Sequence, residues 1–213
     1  MKQENILVIN PATRPGMTER IAANLAPFRA RGLQVACEAA PDGPHLIASD
    51  ADIDIAAVAL HAMVAKAQAA VIVIACYGDP GLQACREATK ATVLGVGRCA
   101  ASLALARADS FGVIAMSAAA IPRHKRTLRQ LGIESALAGE RALPPGASDD
   151  EAMFERLYEA GRALRDEDGA GAVVIGCAEF GALRGRLEQA LGVPVIDPVE
   201  AAMAIAAAIV ESH

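Results

Sequence analysis

A buried strand that ends on a cysteine occurs twice in this chain, and that repetition constrains the fold more than any other feature. Residues 70–81 read AVIVIACYGDPG and residues 172–179 read AVVIGCAE. An unbroken apolar run such as Val71-Ile72-Val73-Ile74 leaves no solvated face, so it belongs in a parallel sheet covered by helices on both sides. Cys76 and Cys177 close the two runs, 101 residues apart. In open α/β sheets the carboxyl ends of the strands are where ligand sites form. At the same 101-residue shift Leu82 falls on Leu183, and with one residue more TVLG at 92–95 falls on PVID at 194–197. Asn10, which ends the first strand, corresponds to Ser117. The sequence thus reads as two halves of one design.

Strands are predicted over 6–9, 33–37, 71–75 and 92–95, and again over 111–116, 133–137, 173–176 and 194–197. Helices are predicted between them, over 17–31, 53–68, 80–90, 98–107, 122–131, 149–166, 180–191 and 199–210. Strictly alternating elements imply parallel sheets. Pro27 should kink the first helix. Asp79-Pro80 should open the helix after Cys76 as N-cap and first-turn proline; Asp149 and Asp197 should cap later helices. Residues 39–49 and 138–148, rich in Pro and Gly, read as loops, the first long enough to cover a site. The expected fold class is α/β, with two pseudo-symmetric lobes, each a four-stranded mainly parallel sheet flanked by helices, and the active site in the cleft between them.

Composition removes several function classes. No apolar run reaches the roughly 18 residues of a membrane span, and Met1-Lys2-Gln3-Glu4 is too short and acidic for a signal peptide, so the expected location is cytoplasmic. A net charge of −5 argues against nucleic acid as partner. Arg123-His124-Lys125-Arg126, the one basic run, is expected on a solvated helix face. The five cysteines form no CxxC pair and no Cys/His spacing suited to zinc, so free thiols and no metal are expected. Gly95-Val96-Gly97-Arg98-Cys99-Ala100 fits a loose G-x-G-x-x-A pattern, but it follows a fourth strand and no acid for a ribose ends the next one. No cofactor is expected. Of the histidines, His61 and His124 fall on helices, and only His45, in the covering loop, is placed to meet a ligand. Cys37, Cys85 and Cys99 lack counterparts in the repeat and read as packing residues.

If the halves face each other, Cys76 and Cys177 approach one bound molecule from opposite sides. Inverting a stereocentre needs that arrangement: one group removes a proton and the other returns one to the opposite face. An ordinary thiol is only ~3% thiolate at neutral pH. A helix N-terminus beside each cysteine would lower its pKa, whereas Asp79 and Glu179 would raise it; the balance is open at the level of sequence. A non-catalytic two-lobed binding module needs no such pair.

INPATRPGMT at 9–18, ACYGDPGL at 75–82, GCAEF at 176–180 and GVPVIDPVEAA at 192–202 together resemble hydantoin racemases, of the aspartate/glutamate racemase superfamily, over essentially the whole chain. The resemblance implies a cofactor-independent two-base racemase, with Cys76 and Cys177 as acid and base, acting on a 5-substituted hydantoin or on allantoin. It also implies a homo-oligomer and a last helix returning to the first lobe, so that lobe 1 would comprise 1–97 plus 197–213 and lobe 2 would comprise 98–196. Asn10 and Ser117 would contact substrate, and Tyr77, Gly78, Ala178 and Glu179 would offer backbone N–H groups. The chain departs from the family pattern at Ala12, where many relatives have asparagine, and at Glu179, where they have glycine. The superfamily's amino-acid racemases carry hydroxyl or amide groups after each cysteine to clamp a carboxylate. Tyr77-Gly78 and Ala178-Glu179 offer no such clamp, which favours a neutral cyclic imide. Arylmalonate-type decarboxylases keep a single catalytic cysteine.

Overall fold

The computed structural model describes residues 4–144, 146 and 149–212. It contains two four-stranded sheets built to one plan. In the first, β1 (Glu4–Asn10), β2 (Val35–Ala39), β3 (Ala69–Ile74) and β4 (Thr92–Gly95) lie in the order β2-β1-β3-β4. In the second, β5 (Phe111–Ala115), β6 (Leu137–Ala142), β7 (Ala172–Gly176) and β8 (Val195–Ile196) lie in the order β6-β5-β7-β8. All pairings are parallel. The helices are α1 (Met17–Asn24), α2 (Ala26–Ala30), α3 (Asp50–Val64), α4 (Leu82–Ala88), α5 (Val96–Arg107), α6 (Ile121–Gln130), α7 (Asp150–Asp166), α8 (Arg184–Leu191) and α9 (Pro198–Glu211).

The two-residue alternation of the strands assigns their faces. Ile6, Val8, Val71 and Val73 point into a core shared with Phe111, Val113 and Val174 of the second sheet and with α5 and α9, which pack on each other between the sheets. Leu7, Ile9, Ile72 and Ile74 point outward onto α3 and α4. Ile114, Val173 and Ile175 point outward onto α7 and α8. The inner strands β3, β5 and β7 are thus apolar on both faces because each face is covered. The carboxyl ends of both sheets open onto one cleft.

Local chemistry explains where the predicted elements differ from the observed ones. The segment 17–31 is not one kinked helix but two, broken at Leu25, with Pro27 in the first turn of α2, where its missing N–H costs nothing. Residues 134–136 form a 3₁₀ turn, and the strand expected at 133–137 instead runs over Leu137–Ala142, into the predicted loop. Pro145, Ala147 and Ser148 of that loop lie outside the described residues. The predicted caps Asp149 and Asp197 accept from the N–H groups of Ala152 and Glu200, at 3.0 and 2.7 Å.

Asp79 behaves differently from expectation. The helix after Cys76 begins at Leu82 behind Gly81, so Asp79 does not cap it. With φ of +46°, Asp79 turns back and accepts from the N–H groups of Gly97 and Arg98 at 2.8 and 2.9 Å, capping α5 instead. Gly95 leaves room for this carboxylate: a Cβ there would lie 2.4 Å from Asp79 Cγ. In the second half the equivalent position is Asp197, which caps its own helix. The two halves satisfy the same helix terminus from different places in the sequence.

Candidate active site

The two halves enclose a cavity of about 310 Å³. Asn10, Cys76, Tyr77, Gly78, Ser117, Cys177, Ala178 and Glu179, the residues singled out from sequence, all line it. Cys76 follows β3 and Cys177 follows β7, so the two thiols enter the cavity from different sheets. The next turn is tight at Cys76, where the Asp79 N–H donates to the Cys76 carbonyl at 2.9 Å. This turn aims the Gly78 N–H at the Cys76 sulfur, and the Glu179 N–H is aimed likewise at Cys177. Two N–H groups expected to meet substrate are therefore spent on the sulfurs, where they favour thiolate.

That help does not win. Desolvation pushes Cys76 up to about 11, with Asp79 adding to the rise and Arg123 opposing it. Desolvation pushes Cys177 up to about 12, with Glu179 and Cys76 adding to the rise and Arg14 opposing it. The balance left open by the sequence is thus signed: the resting site holds two neutral thiols.

Asn10 is 1% exposed, and its amide is committed. It donates to Thr18 Oγ1 at 3.0 Å and accepts from the Ala12 N–H at 3.1 Å, which shapes the 11–16 loop over the cavity. Glu179, also buried, forms an ion pair with Arg14, and its Oε2 lies 4.0 Å from Cys177 Sγ. The position equivalent to Glu179 is Gly78, covered by Ile53: a Cβ on Gly78 would lie 3.0 Å from Ile53 Cδ1. The two thiols therefore have unlike neighbours, a carboxylate on one side and an aliphatic chain on the other.

Sequence reasoning missed much of the wall. Met17, Ile53, Met116, Leu143, Met153 and Phe180 make it mostly apolar, and Leu46, Ile47 and Ala48 of the covering loop reach it as that loop's length suggested. The basic run is not simply a solvated face. Arg123 and His124 line the cavity, and His124 is buried, hydrogen-bonded through Nδ1 to Glu140 and edge-on to the Tyr77 ring at 4.7 Å between centroids. His45, the histidine expected to meet ligand, is exposed and outside the lining. His124 and Leu128, four residues apart, share the inner face of α6. Among the described residues no group of His, Cys, Asp or Glu is arranged to hold a metal ion.

A family sequence model described as Asp/Glu/Hydantoin racemase matches residues 6–206. The hydantoin racemase of Paenarthrobacter aurescens is 34% identical, over 96% of this chain and 90% of its own length. That of Pseudomonas sp. (strain NS671) is 33% identical, over 97% and 86%. Among solved structures, an allantoin racemase from Klebsiella pneumoniae superposes with a TM-score of 0.91 at 30% identity, covering 98% of this chain and 88% of that one.

Proposed function

Because the chain belongs to the Asp/Glu/hydantoin racemase family, we propose that it racemises 5-substituted hydantoins without a cofactor, using Cys76 and Cys177 as the two proton-transfer groups. The observation that carries this reading is the placement of two thiols, one from each sheet, in a single cavity whose remaining wall is mostly apolar. One thiol, as thiolate, takes the proton from C5, leaving an enolate; the other gives its proton to the opposite face. Each turnover exchanges the protonation states of the two sulfurs, so the enzyme that handled one enantiomer is left ready for the other. We take the lobes as 1–97 with 197–213, and 98–196, with the cleft as their boundary.

The wall is mostly apolar, the Asn10 amide is committed and Arg14 is paired with Glu179, so an apolar C5 substituent finds more matching surface than a ureido or carboxylate one. Benzyl, isobutyl or methylthioethyl groups at C5 suit the wall better, with allantoin the next candidate. Buried Glu179 beside Cys177 opposes a free α-carboxylate. Polarimetry on enantiopure 5-benzyl- and 5-isobutylhydantoin, allantoin, aspartate and glutamate tests the reading: rotation should decay to zero for the hydantoins, and aspartate and glutamate should be untouched. Faster racemisation of either amino acid overturns it.

The raised thiols also set a pH dependence. A group pushed up to about 11 is thiolate in only about one molecule in ten thousand at pH 7, and that fraction rises tenfold per pH unit until the pKa is reached. For the free enzyme kcat/KM should therefore climb with a slope of about one on a log scale between roughly pH 6 and 9. Initial rates by circular dichroism, corrected for uncatalysed racemisation, measure it. A plateau beginning below pH 7 would mean that the resting site already holds a thiolate.

A further inference from the structure

The cleft is crossed by ion pairs that repeat with the fold. Asp50, the first residue of α3, binds Arg126 of α6 at 2.8 Å; Asp150, the first residue of α7, binds Arg20 of α1 at 2.6 Å. The acids are 100 residues apart and each opens the helix before its half's third strand. The arginines lie on the helices that follow the first strand of each half. Each pair ties one half to the other, and the two are pseudo-symmetric copies. Just inward of them lies a second arginine on each side. Arg123 shares Asp50 at 3.3 Å with its side chain only 11% exposed, and Arg14 reaches Glu179. Both line the cavity that holds the thiols, and both keep a buried Nε with no hydrogen-bond partner among the described residues. An unpaired buried donor is costly, so each is poised for an acceptor or an anion in the cleft.

We propose that Arg123 and Arg14 are positioning residues for the two thiols and that they act crosswise: Arg123, from the second half, supports the thiolate of Cys76, and Arg14, from the first, supports that of Cys177. Asp50 holds Arg123 and Glu179 holds Arg14, in each case across the cleft, so a thiol receives its counter-charge only when the halves are closed together. The charged and titratable groups facing Cys76 are Arg123 and Asp79; those facing Cys177 are Arg14, Glu179 and Cys76. Arg14 has a double effect, because it also neutralises Glu179, the carboxylate beside Cys177. This proposal rests on the two-thiol reading above.

The test uses resting enzyme without substrate, so it can fail while hydantoins are racemised, and succeed whatever the substrate. Iodoacetamide labelling is followed between pH 7 and 10, with each cysteine quantified by mass spectrometry of its peptide. Arg123→Gln should raise the Cys76 pKa and slow its labelling across that range while leaving Cys177 unchanged; Arg14→Gln should do the reverse. A thiolate of higher pKa is also the better nucleophile, so the rate at pH 8.5 should drop only about threefold per unit. Lysine at either position, which keeps the charge, should restore most of the parent profile. Glu179→Gln should speed Cys177 and leave Cys76 unchanged. Labelling of buried Cys85 and Cys99 reports unfolding in the same digest; if a glutamine variant unfolds, the methionine variant, which retains the aliphatic stem, replaces it. Equal slowing of both cysteines, slowing of the wrong one, or no slowing overturns the proposal.

Discussion

Serine in place of Cys76 should abolish racemisation, by at least about a thousandfold, and serine in place of Cys177 should do the same. The hydroxyl is too weak an acid to form the needed base near neutral pH. Neither variant should be inert, however. With one thiol left, the enantiomer whose C5 proton faces that sulfur still loses it, the S–H exchanges with solvent, and deuterium returns to the same face. In D₂O each variant should therefore exchange one enantiomer without inverting it, and the two variants should select opposite enantiomers. Proton NMR on enantiopure 5-benzylhydantoin, corrected for uncatalysed exchange, reads both results. Racemisation near the parent rate in either variant would end the two-base reading. Exchange of the same enantiomer by both would place the thiols on one face.

The second large effect is on stability. A Cβ at Gly97 would lie 2.1 Å from the carbonyl oxygen of Tyr77, an atom of the turn that follows Cys76. Backbone cannot yield as a flexible side chain can, so Gly97→Ala should cost about 3 kcal/mol, at the upper end of ordinary overpacking. For a chain of this size that corresponds to a melting temperature lower by about 6–12 °C. Gly185, in α8, has open space where its Cβ would be, and alanine there should be neutral or slightly stabilising. Thermal melts of the two variants side by side provide the measurement. A melt for Gly97→Ala within about 2 °C of the parent would contradict the close approach. The glycines that imitate a dinucleotide fingerprint are thus explained by packing: Gly95 admits the Asp79 carboxylate, and Gly97 admits the Tyr77 carbonyl.

What could be read from sequence depended on whether the cause was local or distant. Val71-Ile72-Val73-Ile74 and Val173-Val174-Ile175 declare buried parallel strands by composition alone, and the internal repeat supplies the common strand order of the two sheets. Cys76 and Cys177 were legible as a pair because strand ends converge in this class of fold. Asp79 was not legible: Asp-Pro is an ordinary helix opening, and nothing nearby in sequence reports that Gly95 has vacated space for it. Arg123 and His124 were hidden for the same reason. A run of four basic residues says nothing about which of them turns inward until α6 is set against Asp50, Glu140 and Tyr77. Burial also decided the thiols' acidity against the adjacent N–H groups, and burial is a property of the assembled cleft.

The inequality of the two thiols, with Ile53 over Gly78 on one side and Arg14 bound to Glu179 on the other, meets a thermodynamic limit. Mirror-image substrates have equal free energy in an achiral solvent, so a racemase works on a reaction whose equilibrium constant is one. Detailed balance then makes kcat/KM identical for the two enantiomers, however differently the two sides of the cleft are built. The asymmetry can be expressed only by moving kcat and KM together: the hand that the cleft holds more tightly is turned over more slowly, in the same proportion. Glu179 and Arg14 can thus change which enantiomer saturates the enzyme first, and can never make it prefer one direction.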